Sequence, residues 1–236
     1  MRIIQYSKNR GFTLAELTIV LVIVALLVGG LTVPLSAQID QRDYNETRRQ
    51  LEEIRESLIG FAVAHKRLPC PAISHNNGLE KDGCNNEIES TGFIPWTTLG
   101  VKKTDAWGKM IHYSVTPDYA ANAGFNLSSL GQKKIKEADS YLVGSEKCSK
   151  EYPCSPAVIL SHGRNNWGTT PDGVDIADGS ESNTDEDINA DKTTNIFIAR
   201  DPSNVSTASG GEFDDIVVWI PPYLLLNRMV AAGRLP

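Results

Sequence analysis

The sequence predicts an α+β fold: one long N-terminal α-helix packed on a small antiparallel β-sheet head. Three observations carry this. Residues 13–33 form an apolar run with a single charge, Glu16. A polar stretch follows in which Leu51, Ile54, Leu58, Phe61 and Ala62 recur at helical steps, marking one face of a helix. Beyond Pro69, short apolar segments are separated by turn-forming Gly, Asn, Asp and Pro clusters.

The apolar run comes first. From Thr13 to Val33 is 21 residues, and about 20 apolar residues cross a ~30 Å hydrocarbon layer as a helix. A carboxylate inside such a helix is costly, so Glu16 needs a partner or a task. The preceding MRIIQYSKNRG carries Arg2, Lys8 and Arg10 and no acid. That bias keeps the N-terminus in the cytoplasm and sends the rest across the membrane. A secretory signal loses its apolar stretch on cleavage. Here the candidate cleavage point, Gly11–Phe12, precedes the apolar stretch, which stays with the mature chain. A plain signal anchor with an incidental glutamate is the competing reading.

Lys8-Asn9-Arg10-Gly11, then Phe12-Thr13-Leu14-Ala15-Glu16, then a long apolar helix, resemble the N-terminus of type IV prepilins and type II secretion pseudopilins. The resemblance implies a pilin-like fold and a chain that is not an enzyme. It implies that prepilin peptidase cuts after Gly11 and methylates the new amine of Phe12. Glu16, the fifth residue of the mature chain, then serves filament assembly. The implied partners are other pilin or pseudopilin subunits, the peptidase and an inner-membrane assembly platform. The implied location is the bacterial inner membrane, N-terminus cytoplasmic and head periplasmic, and afterwards a pilus or pseudopilus. The domains then read as a leader over 1–11, a transmembrane helix over 12–34, an amphipathic helix over 35–68 that continues into the head, and the head itself over 69–236. Pro34 is expected to bend the helix, and Pro69 and Pro71 to end it.

The formal charge is −6. Without the three leader cations, 20 basic and 29 acidic residues remain, a balance of −9. An acidic chain with no basic stripe excludes DNA and RNA as main partners. Cys70, Cys84, Cys148 and Cys154 all follow the membrane segment and face an oxidising compartment. Of the three pairings available, Cys70–Cys84 and Cys148–Cys154 close short local loops and are favoured. A zinc site is the alternative, and the cysteine spacing does not suit it.

Residues 70–104 read as loop, with Ile94, Trp96 and Leu99 as buried anchors. Asp105-Ala106-Trp107-Gly108 is a turn leading to a strand that contains Tyr113 and stops at Pro117. It resembles the segment after the long helix of major pseudopilins. Further strands are expected at Ala157–Ser161, Asn195–Ala199 and Asp215–Ile220. The acidic tract 162–194 between them reads as surface loop. Pro222 and Gly233 bracket a short C-terminal helix that packs through Leu224, Leu225 and Met229.

Asp172, Asp175, Asp178, Asp185, Asp187 and Asp191 crowd 20 residues. Crowded carboxylates with carbonyl-rich loops suit Ca²⁺. Ser161-His162-Gly163 and Asp214-Asp215-Ile216-Val217-Val218-Trp219 resemble the calcium loop and final strand of major pseudopilins. That match implies Asp215, with Ser161, as metal ligands. A solvated acidic loop is the other reading. Ser161, His162 and nearby aspartates also supply the residue types of a hydrolytic triad, but neighbours on a strand point to opposite faces and no nucleophile elbow is present. The expected function is therefore structural: a subunit, by its large irregular head a minor one, of a type IV pilus or type II secretion pseudopilus. The rival is a single-pass anchored periplasmic binding domain, calcium-dependent or not, that never polymerises.

Overall fold

A computed structural model of the chain describes residues 11–137 and 140–236, and within 28–37 the backbone alone. The chain divides into two compact units, Met1–Arg42 and Asp43–Pro236. Helix α1 (Leu14–His65) begins in the first and ends in the second. In the first unit residues 11–27 are exposed, Phe12 at 89%. Among the described residues no helix is long and apolar enough to cross a membrane. The span expected over 12–34 includes residues 28–34, whose side chains lie outside the described residues, as does the bend expected at Pro34. The leader, 1–10, also lies outside them.

In the second unit α1 buries Leu51, Ile54, Leu58, Ile59 and Ala62. This is the apolar stripe of the sequence, because a 3.6-residue period turns those positions to one side. Phe61 lies at its margin, half-buried and stacked on His65. The helix ends as Lys66 turns to φ +62° and the chain enters Leu68-Pro69-Cys70-Pro71. Arg67 then grips Glu80 through two hydrogen bonds of 2.7 and 2.9 Å.

After α1 come β1 (Ala72–Ser74), β2 (Asn77–Glu80), β3 (Thr91–Phe93), α2 (Trp96–Leu99), β4 (His112–Val115), α3 (Pro117–Ala120), β5 (Lys134–Glu137), β6 (Ser140–Val143), β7 (Ala157–Ser161), α4 (Thr184–Ala190), β8 (Ile196–Ile198), β9 (Ile216–Trp219) and α5 (Pro222–Ala231). The main sheet, order β3-β4-β7-β9, is antiparallel throughout. A second sheet, order β6-β5-β8, contains one parallel pair, β5 with β8. Strand β7 is buried along its whole length, because each face is covered. Ala157 and Ile159 join the core built on α1, whereas Val158 joins Ile135 and Phe197 of the second sheet. The period of two along a strand sorts its side chains this way.

Two expectations need correction. Residues 70–104 are not all loop, since β1, β2, β3 and α2 lie there. The tract 162–194 is not a plain surface loop. It contains α4, with Asn183, Glu186 and Asn189 buried. Asn189 explains how so polar a segment folds inward. Its amide oxygen accepts from Ile198 N at 2.7 Å and its nitrogen donates to Ile198 O at 3.0 Å. One side chain thereby replaces a ladder partner for β8. The C-terminal helix packs through Leu225 and Met229, both fully buried. Disulfides join Cys70 to Cys84 and Cys148 to Cys154. All four sulfurs are thus consumed and form no zinc site.

Candidate functional site

The head holds a buried charge centre where β7, β9, α4 and the Asp105 turn meet. Asp105 builds the turn: its Oδ1 accepts from Trp107 N at 3.0 Å and Lys109 N at 2.9 Å. Its Oδ2 accepts from Ser161 Oγ at 2.7 Å, tying the turn to the end of β7. Lys109, only 5% exposed, points inward. Its Nζ donates to three backbone carbonyls of the loop after β7: His162 at 3.1 Å, Asn165 at 2.5 Å and Asn166 at 2.6 Å. The loop turns sharply to present them, with positive φ at Gly163, Asn166 and Trp167. At Gly163 a side chain would collide with Asp214.

Opposite this loop are three carboxylates. Oxygens of Glu186, Asp214 and Asp215 lie within 4.8 Å of one another. Glu186 Oε1 accepts from Asp214 N at 2.7 Å, and its Oε2 from Asn183 Nδ2 at 2.9 Å. Asp214 Oδ2 accepts from Asn165 N at 2.8 Å and Arg164 N at 3.1 Å. Asp215 Oδ2 accepts from Asn189 Nδ2 at 2.8 Å, and its Oδ1 faces His162 Nδ1 at 3.4 Å. Burial pushes Asp214 and Asp215 up to about 7. Burial, then the charge of Lys109, pushes His162 down to about 3, so its ring is neutral. Burial also lowers Lys109, against the opposing pull of Asp214, Asp105, Asp215 and Glu186.

The second candidate is the helix start. Thr13 and Glu16 form a capping box. Thr13 N and Thr13 Oγ1 both donate to Glu16 Oε2 at 2.9 Å, and Glu16 N donates to Thr13 Oγ1 at 3.2 Å. The carboxylate is therefore folded back toward the position that becomes the N-terminus if the chain is cut at Gly11. Around it Phe12, Leu14, Leu17, Ile19, Val20 and Leu21 are exposed, an apolar surface that water does not suit. Residues 6–32 match the family model of the prokaryotic N-terminal methylation motif. The chain carries the prepilin-type motif. No curated protein and no solved structure matches the chain. The motif covers the Gly11–Phe12 junction, Glu16 and most of the apolar run. The head, with its charge centre, lies outside the match.

Of the calcium ligands expected at Asp215 and Ser161, Asp215 sits with Glu186 and Asp214 in a group of carboxylates close enough to share an ion, whereas Ser161 does not face them. Calcium takes six to eight oxygens. Ser161 Oγ is turned to Asp105, and three loop carbonyls already accept from Lys109. The hydrolytic reading fails in geometry: Ser161 bonds Asp105, while His162 faces Asp215. The other aspartates of the tract do not join the centre. Asp175 accepts from Thr169, Asp178 from Asn183, Asp187 from Trp167 and Asp191 from Thr193, Asp185 pairs with Arg200, and Asp172 is exposed. Lys109, Asp214 and Glu186 were not singled out by sequence. Asp214 adjoins Asp215, but nothing in the pattern links Lys109 to carbonyls more than 50 residues away. The T-x-x-E capping signature was present and readable.

The pH dependence follows by sign. Asp215 keeps a proton in the folded chain between about pH 4 and about 7, where the unfolded residue has lost it, so its burial lowers stability as pH rises. His162 acts oppositely: below about 6.5 the unfolded ring takes a proton that the folded ring refuses, so stability drops with falling pH. The two oppose each other. Asp214 acts in the same sense as Asp215, so Asp215→Asn removes one of the two carboxyls on that side. Relative to the parent chain, the slope of unfolding free energy against pH should become more positive by about 1.4 kcal/mol per pH unit between about pH 4.5 and 6.5. Denaturant titrations across that window measure it, and an unchanged slope shows that Asp215 does not hold the proton.

Proposed function

We propose that this chain is a structural filament subunit of the pilin or pseudopilin type. Prepilin peptidase cuts it after Gly11 and methylates Phe12. Residues 12–34 anchor it in the inner membrane with the head periplasmic, and it then enters a pilus or pseudopilus beside other subunits, as a minor component. The observation that carries this reading is the methylation motif over residues 6–32. The capping box supports a role for Glu16 within it. Once the chain is cut, the carboxylate lies three residues from the free amine's own threonine neighbour, held at a helix start. In a filament, where water is excluded, the amine of an adjacent subunit competes for that carboxylate, and pairing the two offsets the cost of burying each. The exposed apolar surface about Phe12 supplies the non-directional attraction, and the charge pair sets axial register.

Membrane protein from cells with active peptidase should begin at N-methylated Phe12 by N-terminal sequencing or intact mass. Gly11→Val should leave the leader attached. A chain that retains Met1 refutes the reading. Glu16→Leu should still be inserted and cut, because the helix becomes more apolar, but little or none should appear in sheared filaments or in crosslinks to neighbours. Wild-type recovery of that variant in filaments would show that Glu16 does not dock subunits.

We further infer that the head carries its cation covalently, as Lys109, and needs no divalent ion. The support is the ammonium's three carbonyl partners and the four carboxylates that act on it, Asp214, Asp105, Asp215 and Glu186. In detergent, the melting midpoint of the full-length chain should be the same in calcium and in chelator. Lys109→Met leaves buried carboxylates without their counter-charge and should cost about 3–5 kcal/mol. Added calcium should restore part of that loss. A wild-type midpoint that falls on chelation overturns the assignment.

A further inference from the structure

A second buried lysine is used by nothing described so far. Lys133 lies just before β5, and its side chain is wholly inaccessible. Its backbone exchanges two hydrogen bonds with Ser155, at 3.1 and 2.8 Å, which fixes where the side chain starts. Among the described residues its Nζ has one hydrogen-bond partner, Asn195 Oδ1 at 2.6 Å. An ammonium has three donors to satisfy, and burying one with a single neutral acceptor is costly. Asn195 lies just before β8, the parallel neighbour of β5, and Lys134 N donates to Asn195 O at 2.7 Å. The two side chains therefore face each other from the starts of adjacent strands. On the other side, Asn195 Nδ2 donates to Glu87 Oε1. The amide is thus bracketed, with an amine at its carbonyl and a carboxylate at its nitrogen.

We propose that Lys133 and Asn195 join in an isopeptide cross-link, with Glu87 as the acid–base group. The reaction needs no oxidant and no cofactor. The neutral amine of Lys133 attacks Cγ of Asn195, forming the Nζ–Cγ bond, and the carbonyl electron pair moves to Oδ1. Glu87 takes the proton from Nζ and passes it to Nδ2. The pair on Oδ1 returns, the Cγ–Nδ2 bond breaks and ammonia leaves. One amine and one primary amide give one secondary amide and one ammonia. Burial prepares the nucleophile, holding Lys133 down to about 8 with Glu87 as the opposing charge, so a substantial minority of the amine is neutral in mildly alkaline solution. Proximity prepares the attack, since reacting atoms held near 3–3.5 Å escape most of the entropic barrier of a bimolecular reaction. The product also removes the buried charge that made the ground state costly. The cross-link spans 62 residues of sequence and locks the parallel β5/β8 pair.

The test is a mass measurement on the full-length chain isolated from membranes, with both disulfides reduced. The parent protein should be lighter than its processed sequence by one ammonia. Proteolysis should yield one branched peptide joining the Lys133 segment to the Asn195 segment, identified by fragmentation. Glu87→Gln should restore the full mass and give two separate linear peptides, while Arg67→Lys, whose side chain pairs with Glu80 instead, should keep the link. If Glu87→Gln does not fold, the parent peptide map decides alone. A parent chain of full mass overturns the proposal. So does an ammonia loss that maps elsewhere, such as succinimide at Asn77-Gly78.

Discussion

One buried positive charge organises the head. Lys109 is held at its base by the Asp105 turn, and its ammonium gathers three carbonyls of the loop after β7. Buried carbonyls without donors are costly, so the loop from His162 to Trp167 follows the ammonium, even at the strain of positive φ at Asn166 and Trp167. That loop then offers its N–H groups to Asp214, which fixes the entrance to β9. Glu186 accepts from the next backbone group and draws α4 inward. A turn, a loop, a strand and a helix thus share one counter-charge.

The same arrangement explains the protonation states. Three carboxylates around one ammonium are over-neutralised in charge count, and a low-dielectric site cannot hold the excess. Burial, the larger cause, raises Asp214 and Asp215 and so lessens that excess. His162 could have been a second cation. It stays neutral because burial and Lys109 both oppose a second positive charge, and its edge packs against His112 at 4.9 Å. The centre therefore ties its elements together through the carboxylates and Lys109, while Asp214 Oδ1, His162 Nδ1 and Asn183 Oδ1 stay buried without a hydrogen-bond partner among the described residues.

How much of this was legible depends on which atoms do the work. The stripe Leu51, Ile54, Leu58 and Ala62 was readable because side chains alone define it. Strand β7 matched the expected Ala157–Ser161 because a run of five apolar or small residues between turns leaves little else. The Glu16 constellation was readable because its residue types are rare in an apolar run. The charge centre was not, because the partners of Lys109 are backbone carbonyls, and every residue has one. Composition misled at 162–194 for a related reason. Asn183 and Asn189 look like loop formers, yet the Asn189 amide imitates the backbone and Asn183 holds Glu186, which lets the tract fold inward. The capping box shows the converse, since Thr13 and Glu16 carry a signature that a search for membrane features passes over.

The strands explain why such ties are needed. Each of the described strands has three to five residues, so no ladder contributes much by itself. Long polar connections separate them, and ordering those connections is entropically costly. The chain answers with constraints placed where ladders are weakest. Cys70–Cys84 closes the segment that leaves α1, and Arg67 with Glu80 closes it again from the other side. Cys148–Cys154 closes the segment that feeds β7. The parallel pair β5/β8 is the remaining weak point, because a parallel ladder must be reached through a long crossover and its three paired residues do little to hold it. Lys133, Asn195 and Glu87 converge at the start of that pair. A covalent tie there completes the same logic by which the disulfides hold the other two openings of the head.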